Sequence, residues 1–266
     1  MSTLAVLLTV YRGTDATALE LALDSLAAQT RPADEIVIVE DGPHEVSETI
    51  HAFVAKHPEA RTVVLKDNVG SGLASQAGLT TIASEYLARL DSDDVAKPER
   101  FAVQLDYLEK HPEVAAVGTA MEEFRTHPGD GQAVRALPTD GLEKYVKINS
   151  PINNPSVMMR TEAVKAVGGY KNIKHMEDYD LYARLVAGGY GLANLEGSLT
   201  YFRVSPEQFS RRTTGMFAAE REMQRNLVSY GLVSKPRATM NLVVRTLYRA
   251  LPLGLLQRAY AKLFHR

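Results

Sequence analysis

The sequence predicts an α/β fold: a mixed, mostly parallel sheet flanked by helices, followed by an amphipathic helical tail. Three observations predict it. In the first hundred residues short β-branched runs alternate with longer stretches of helical spacing, the pattern of parallel strands joined by covering helices. A composition of 45% hydrophobic and 23% charged residues supplies a core and argues against disorder. After Glu222 the acidic residues stop, while basic and large apolar residues continue together.

Residues 4–10, 35–40, 62–66 and 86–90 are the first four expected strands. Between them, residues 16–29, 46–57 and 72–84 repeat Leu, Ile, Val and Ala at helical spacing. The apolar run 4–10 has no basic segment before it and no small-residue cleavage site after it, so it reads as a buried strand, not a signal peptide. Past Pro98 a helix is expected over 99–110 and a strand over 114–118, then a Gly- and Pro-containing surface excursion over 126–138. A strand over 156–160 leads into a short helix, 161–167, stopped by Gly168-Gly169. A helix over 178–187 stops at Gly188-Gly189, and 199–204 is a late strand. One domain is expected over 1–230 and the basic tail over 231–266.

A formal net charge of -2 speaks against a general nucleic-acid binder, whose affinity needs surplus Lys and Arg. Zero cysteines exclude disulfides and thiolate metal sites, and fit a reducing, cytoplasmic setting. Nothing approaches the ~18 uninterrupted apolar residues of a membrane-spanning helix.

Ligands of such sheets bind beyond the carboxyl ends of the strands, so chemistry is sought in the loops that leave them. Asp91, Asp93 and Asp94 follow an apolar strand. Clustered carboxylates repel unless relieved, and their hard oxygens suit Mg2+ or Mn2+; a solvated acidic turn that leads into the next helix is the plainer reading. Asp41 ends a second strand before Gly42-Pro43, where it is either a ligand group or one member of a turn. Glu177-Asp178 opens a helix, and its carboxylates either complement the helix dipole or do general-base work. The seven histidines form no H-x-x-x-H or H-x-H pair, and none is assigned to metal.

In order along the chain come Thr9-Val10-Tyr11, Glu40-Asp41-Gly42, Asn68-x-Gly70, Asp91-Ser92-Asp93-Asp94 with Lys97-Pro98-Glu99-Arg100-Phe101, Gly168-Gly169-Tyr170, and Glu177-Asp178-Tyr179-Asp180-Leu181. The ordered set, over residues 4–215, resembles glycosyltransferase family 2, the inverting family with the GT-A fold. Asp41-Gly42-Pro43, Glu123-Phe124, Phe202-Arg203-Val204 and Ser210-Arg211-Arg212 are similar to bacterial enzymes that build exopolysaccharide, capsule and O-antigen, those of amylovoran biosynthesis among them.

The resemblance implies that Asp41 contacts the nucleotide base, Thr9 and Tyr11 line the nucleoside pocket, and Asp91 bonds the nucleotide sugar. It further implies that Asp93 binds Mn2+ or Mg2+ and that Asp178 is the catalytic base. The expected reaction is inverting, non-processive transfer of one sugar from a nucleotide sugar, UDP-linked by analogy, to a lipid-linked glycan acceptor at the inner face of the cell membrane. Two departures stand out: Ala74-Ser75-Gln76-Ala77 replaces a common Arg-Asn pair, and Asn153-Asn154-Pro155 stands where nearer relatives have His. The Gln-x-x-Arg-Trp motif of processive synthases is missing, and the chain has no tryptophan.

From residue 234 onward the tail interleaves Leu242, Val243, Val244, Leu247, Leu251, Leu255 and Phe264 with basic residues, as an interfacial helix pair broken at Pro252 would; a helix packed on the body or on a second subunit is the alternative. The rival functions are a sugar-phosphate nucleotidyltransferase, a glycosidase with paired carboxylates, and a membrane-associated nucleotide-sugar binding subunit without turnover. The first needs a Gly-rich basic loop after the first strand, which Tyr11-Arg12-Gly13-Thr14-Asp15 does not supply.

Overall fold

The computed structural model describes residues 2–131, 133–204 and 216–249. Four strands, β1 (Leu4–Val10), β2 (Glu35–Asp41), β3 (Ala60–Leu65) and β4 (Tyr86–Arg89), are mutually parallel and joined through helices α1 (Ala16–Ala27), α2 (Ser47–Lys56) and α3 (Ser71–Thr81). There follow β5 (Val95–Ala96), α4 (Arg100–Lys110), β6 (Val114–Phe124), β7 (Val134–Arg135), α5 (Leu142–Tyr145), β8 (Met158–Arg160), α6 (Thr161–Ala166), α7 (Glu177–Ala187) and β9 (Gly191–Arg203). Two further helices, α8 (Met216–Ser229) and α9 (Lys235–Arg249), complete the described chain.

The sheet runs β3-β2-β1-β4-β8-β6-β9-β5, with β7 beside β6. β8 is antiparallel to both its neighbours, while β6 and β9 form a long parallel pair. The strand period of two sorts the core onto the two faces of β1. Leu4, Val6, Leu8 and Val10 pack with α1, α2 and α4, whereas Ala5 and Leu7 pack with α3, α6 and α7. On the second face a Cβ at Gly78 of α3 would stand 2.4 Å from a methyl of Leu7, so this small-residue helix lies unusually close to the sheet. A third cluster joins α7 to α8 and α9 through Tyr179, Ala183, Met223, Leu227 and Ala238.

The mixed, mostly parallel sheet is the expected one, and two strands exceed their expected limits. β6 continues to Phe124 through Gly118, which reads as a stop in sequence. That glycine is there because a Cβ would meet Ile152 at 2.5 Å and Asn194 at 2.6 Å. β9 begins at Gly191, not 199, because register shifts against β6 break the alternation that marks a strand. The strand expected over 62–66 is Ala60–Leu65, and the one expected over 156–160 begins at Met158 after a 3-10 turn, Asn154–Ser156. Ser210-Arg211-Arg212 and the break expected at Pro252 lie outside the described residues.

Candidate active site

The parallel strands deliver the expected residues to one sheet edge. Thr9 pairs in register with Val39, β2 ends two residues later at Asp41, and β4 leads to Asp91 just past its Leu7–Arg89 pair. β1 lies between β2 and β4, so the strand order reverses there, and it is outside such a switch point that sheets of this kind form their ligand crevice. Tyr11 is partly exposed, its backbone N–H donating to the Thr14 hydroxyl at 3.0 Å and its ring lying where a Cβ of Gly13 would be.

Asp41 is buried, and its carboxylate organises the loop that enters α3. Oδ1 accepts the Val69 N–H at 2.7 Å; Oδ2 accepts the Gly70 N–H and the Asn68 amide, each at 3.0 Å. Gly42, at φ 77°, follows because a Cβ there would stand 2.5 Å from the Asn68 nitrogen. The spacing of Asp41-Gly42 and Asn68-x-Gly70 is therefore one physical unit, a strand end holding a helix entry.

The N-terminus of α3 abuts that of α7. A Cβ at Gly72 would meet the Lys171 carbonyl at 2.4 Å and the Glu177 Cβ at 3.1 Å. Two helix N-termini side by side bring positive dipole ends together, a setting suited to an anion, and at α7 the Asp178 carboxylate already takes the Tyr179 N–H. Just before α7, His175 has φ 63°, the one non-glycine residue among those described in the left-handed region. The departure at 74–77 has a role here: Gln76 accepts the Tyr170 N–H at 2.7 Å, tying α3 to the Gly168-Gly169-Tyr170 turn.

Asp178, on the first turn of α7, accepts the Tyr179 N–H at 2.7 Å. Burial pushes its carboxyl up to about 7, with further help from the Glu177 charge and from Asp91. Burial likewise raises Asp91, against the opposing pull of Arg89 and Arg100. Both guanidinium groups are buried. Arg89 reaches Asp91 at 3.4 Å and the Leu7 carbonyl at 3.1 Å, while Arg100 bonds the carbonyls of Arg89 and Val157.

Asp94 is not a lead-in to α4, whose first cap is Glu99. It is fully buried, precedes β5, and accepts the Arg203 N–H at 2.8 Å. Arg203 also donates Nε to the Asp93 carbonyl at 3.0 Å and lies 4.4 Å from the centre of the Phe124 ring. The end of β9 thus fixes the backbone at Asp93. Arg89, Arg100, Asp94 and Arg203 were in plain view in the sequence, yet no spacing rule marks a residue that acts through tertiary contact.

Among the described residues no group of three His, Asp or Glu side chains converges as a metal cage. A lone carboxylate such as Asp93 is compatible with the other way Mg2+ is held, by one or two carboxylates completed by phosphate oxygens and water. An open cavity of about 560 Å3 lies at the opposite, amino-terminal edge of the sheet, lined by Ser2, Arg31 and Glu85, away from all of these groups.

Fold and site together define a class: α/β proteins whose mostly parallel sheet brings several carboxylates to its carboxyl edge. The chain belongs to glycosyl transferase family 2, whose family model matches residues 5–168. It is 33% identical to the amylovoran biosynthesis glycosyltransferase AmsE of Erwinia amylovora, over 97% of this chain and 98% of the relative. It is 29% identical to the UDP-Gal:alpha-D-GlcNAc-diphosphoundecaprenol beta-1,3-galactosyltransferase of Escherichia coli, over 98% and 96%. Among solved structures, S. aureus TarS 1-349 in complex with UDP-GlcNAc superposes with a TM-score of 0.69, covering 93% of this chain and 72% of that one at 17% identity. The mannosyltransferase PcManGT from Pyrobaculum calidifontis, in complex with GDP-Man and Mn2+, gives 0.67 over 98% and 79%, also at 17% identity. The fold is GT-A. Thr9, Tyr11, Asp41, Asp91 and Asp93 fall within the family match, and Asp178 lies just past its end.

Proposed function

We propose that the chain moves a single sugar from a nucleotide sugar, UDP-linked by analogy, to a hydroxyl of a lipid-linked glycan acceptor, with inversion, in bacterial surface polysaccharide biosynthesis. The observation that carries this reading is a carboxylate raised to about 7, Asp178, on a helix whose N-terminus abuts that of α3 at the sheet edge bearing Asp91 and Asp93. A base with that affinity for protons is suited to accept one from an attacking hydroxyl near neutral pH. The names of the Erwinia and E. coli relatives support the polysaccharide and diphosphoundecaprenol context.

In this mechanism Asp178 removes the acceptor hydroxyl's proton as its oxygen attacks the anomeric carbon, and the sugar–diphosphate bond breaks on the opposite face. Thr9, Tyr11 and Asp41 hold the nucleoside end, Asp41 in part through the loop it orders. Asp91 bonds the donor, and Asp93 holds Mn2+ or Mg2+, which when bound stabilises charge on the leaving diphosphate. The N-terminus of α3 supplies N–H groups toward the same charge. Transfer of one sugar per encounter agrees with the missing Gln-x-x-Arg-Trp motif. A lipid-linked acceptor places the work at the inner membrane face, and no described helix is long and apolar enough to cross a membrane.

Calorimetric titration of UDP-, GDP- and dTDP-sugars, with and without Mn2+ or Mg2+, tests the donor site. Wild type is expected to bind one base class with cation-dependent affinity, and Asp93→Ala to lose the cation-dependent part. Equal binding by both proteins removes Asp93 from the metal role.

A further inference from the structure

Helix α9 is packed inside out. Its inward side is fastened by polar contacts: Asn241, buried, donates to the Lys147 carbonyl at 2.8 Å and to the Gln224 Oε1 at 3.1 Å. Arg245 forms a 2.7 Å ion pair with the buried Glu220 of α8 and donates to the Ile148 carbonyl at 2.7 Å. From 235 to 248 Ala238 is its one buried apolar side chain, with Leu242 and Tyr248 partly buried. The outward side carries the hydrophobic residues, with Met240 49%, Val243 53%, Val244 58% and Leu247 64% exposed.

Those four follow the i, i+3, i+4, i+7 spacing of a single helical stripe. A helix held by polar bonds with its apolar stripe in water is the reverse of ordinary core packing, and a contiguous exposed stripe marks an interaction surface. The charge around it selects the partner. Arg237, three residues before Met240, is exposed at the border of the stripe with its Nε donating to the Asn241 Oδ1 at 3.1 Å, and Lys235 is exposed at the helix start. From residue 223 to the end of the sequence there are eight Lys and Arg and no Asp or Glu. Apolar side chains flanked by cations match the boundary of an anionic bilayer, where the chains enter the acyl region and the cations meet headgroup phosphates.

We infer that the Met240–Val243–Val244–Leu247 stripe of α9 is the surface by which this protein docks on anionic lipid. This deepens the membrane part of the proposed function, and among the described residues the polar contacts of α9 leave the stripe exposed while fastening the helix to the body. Membrane docking and packing on the body, alternatives in the sequence, thus belong to opposite faces of one helix.

The test is co-sedimentation of the full chain with vesicles of phosphatidylcholine alone or with added phosphatidylglycerol, without donor or acceptor. Wild type is expected to sediment with the anionic vesicles and not the neutral ones, and to be released by salt. A Val244→Glu, Leu247→Glu double variant is expected to lose at least about tenfold in vesicle affinity, while transfer to a water-soluble acceptor persists. Wild-type indifference to anionic vesicles, or equal binding by the variant, overturns the inference. So does a wild-type dimer, detected by light scattering, that the double variant dissociates, since a second copy would then cover the stripe. Because the vesicle assay needs no turnover, its failure is separate from failure of the transferase reading.

Discussion

At Asp178 the same burial serves chemistry and works against stability. As the base it must be ionised, so transfer is expected to rise with pH and level off above about 7. A pH–rate profile checks this; a flat profile from pH 5 to 8 removes Asp178 from the role. Asp178→Asn is expected to keep donor affinity while transfer falls by about 10² to 10⁴. Stability has the opposite slope. The folded carboxyl holds its proton up to about 7 against an ordinary value of 3.8, so the folded state binds more protons between those values. The stabilisation is complete below 3.8 and is lost as pH rises through about 7. Melting of the Asn variant at pH 8 should therefore occur above that of wild type, and a lower melting temperature would contradict the burial argument. The chain itself offered Asp178 as one of two adjacent acids; which is the more perturbed depends on a tertiary setting that no local pattern carries.

At the scale of an element, α7 owes its position to a network centred two residues beyond its catalytic candidate. Asp180, fully buried, accepts from Arg184 at 2.8 Å, the Tyr230 hydroxyl at 2.7 Å and the Asn226 amide at 3.1 Å. Arg184 in turn donates to the Gly169 carbonyl at 2.6 Å. Arg184→Ala strips a buried carboxylate of its ion-pair partner, an error that costs about 3 to 5 kcal/mol. Urea denaturation measures it, and a loss under about 1 kcal/mol, the range of exposed pairs, would mean the network carries little. In sequence this i, i+4 pair is indistinguishable from an ordinary solvated one. The strong β-branched runs of β1 and β2 were legible to within a residue, because full burial leaves an unbroken apolar signature. The extra lengths of β6 and β9 were not, since Gly118, Gly191 and Gly197 are exceptions made for close packing or for turns.

Across the whole molecule, the parallel half around β1 is sealed by apolar layers on both faces, whereas α9 is held by a few polar bonds and by Ala238 at the edge of the third cluster. Hydrogen exchange followed by mass spectrometry should find the amides of β1 and β2 opening only with global unfolding and those of α9 exchanging well before them. Equal protection would show that α9 belongs to the main cooperative unit. The acidic sheet edge was legible because all its strands run the same way, which brings Asp41 and Asp91 together whatever the loops do. Asp178 had to be fetched from the antiparallel half, which only the assembled sheet relates to the first. The pairing of β6 with β9 also sets a clock. Val114 lies against Gly191, which follows it by 77 residues, so one flank of β6 stays open while those residues are made. At ribosomal speeds of about 5 to 20 residues per second that interval is roughly 4 to 15 s. During synthesis the first half can settle as it emerges, while the rim that finishes the crevice stays an unpaired strand edge in need of shelter.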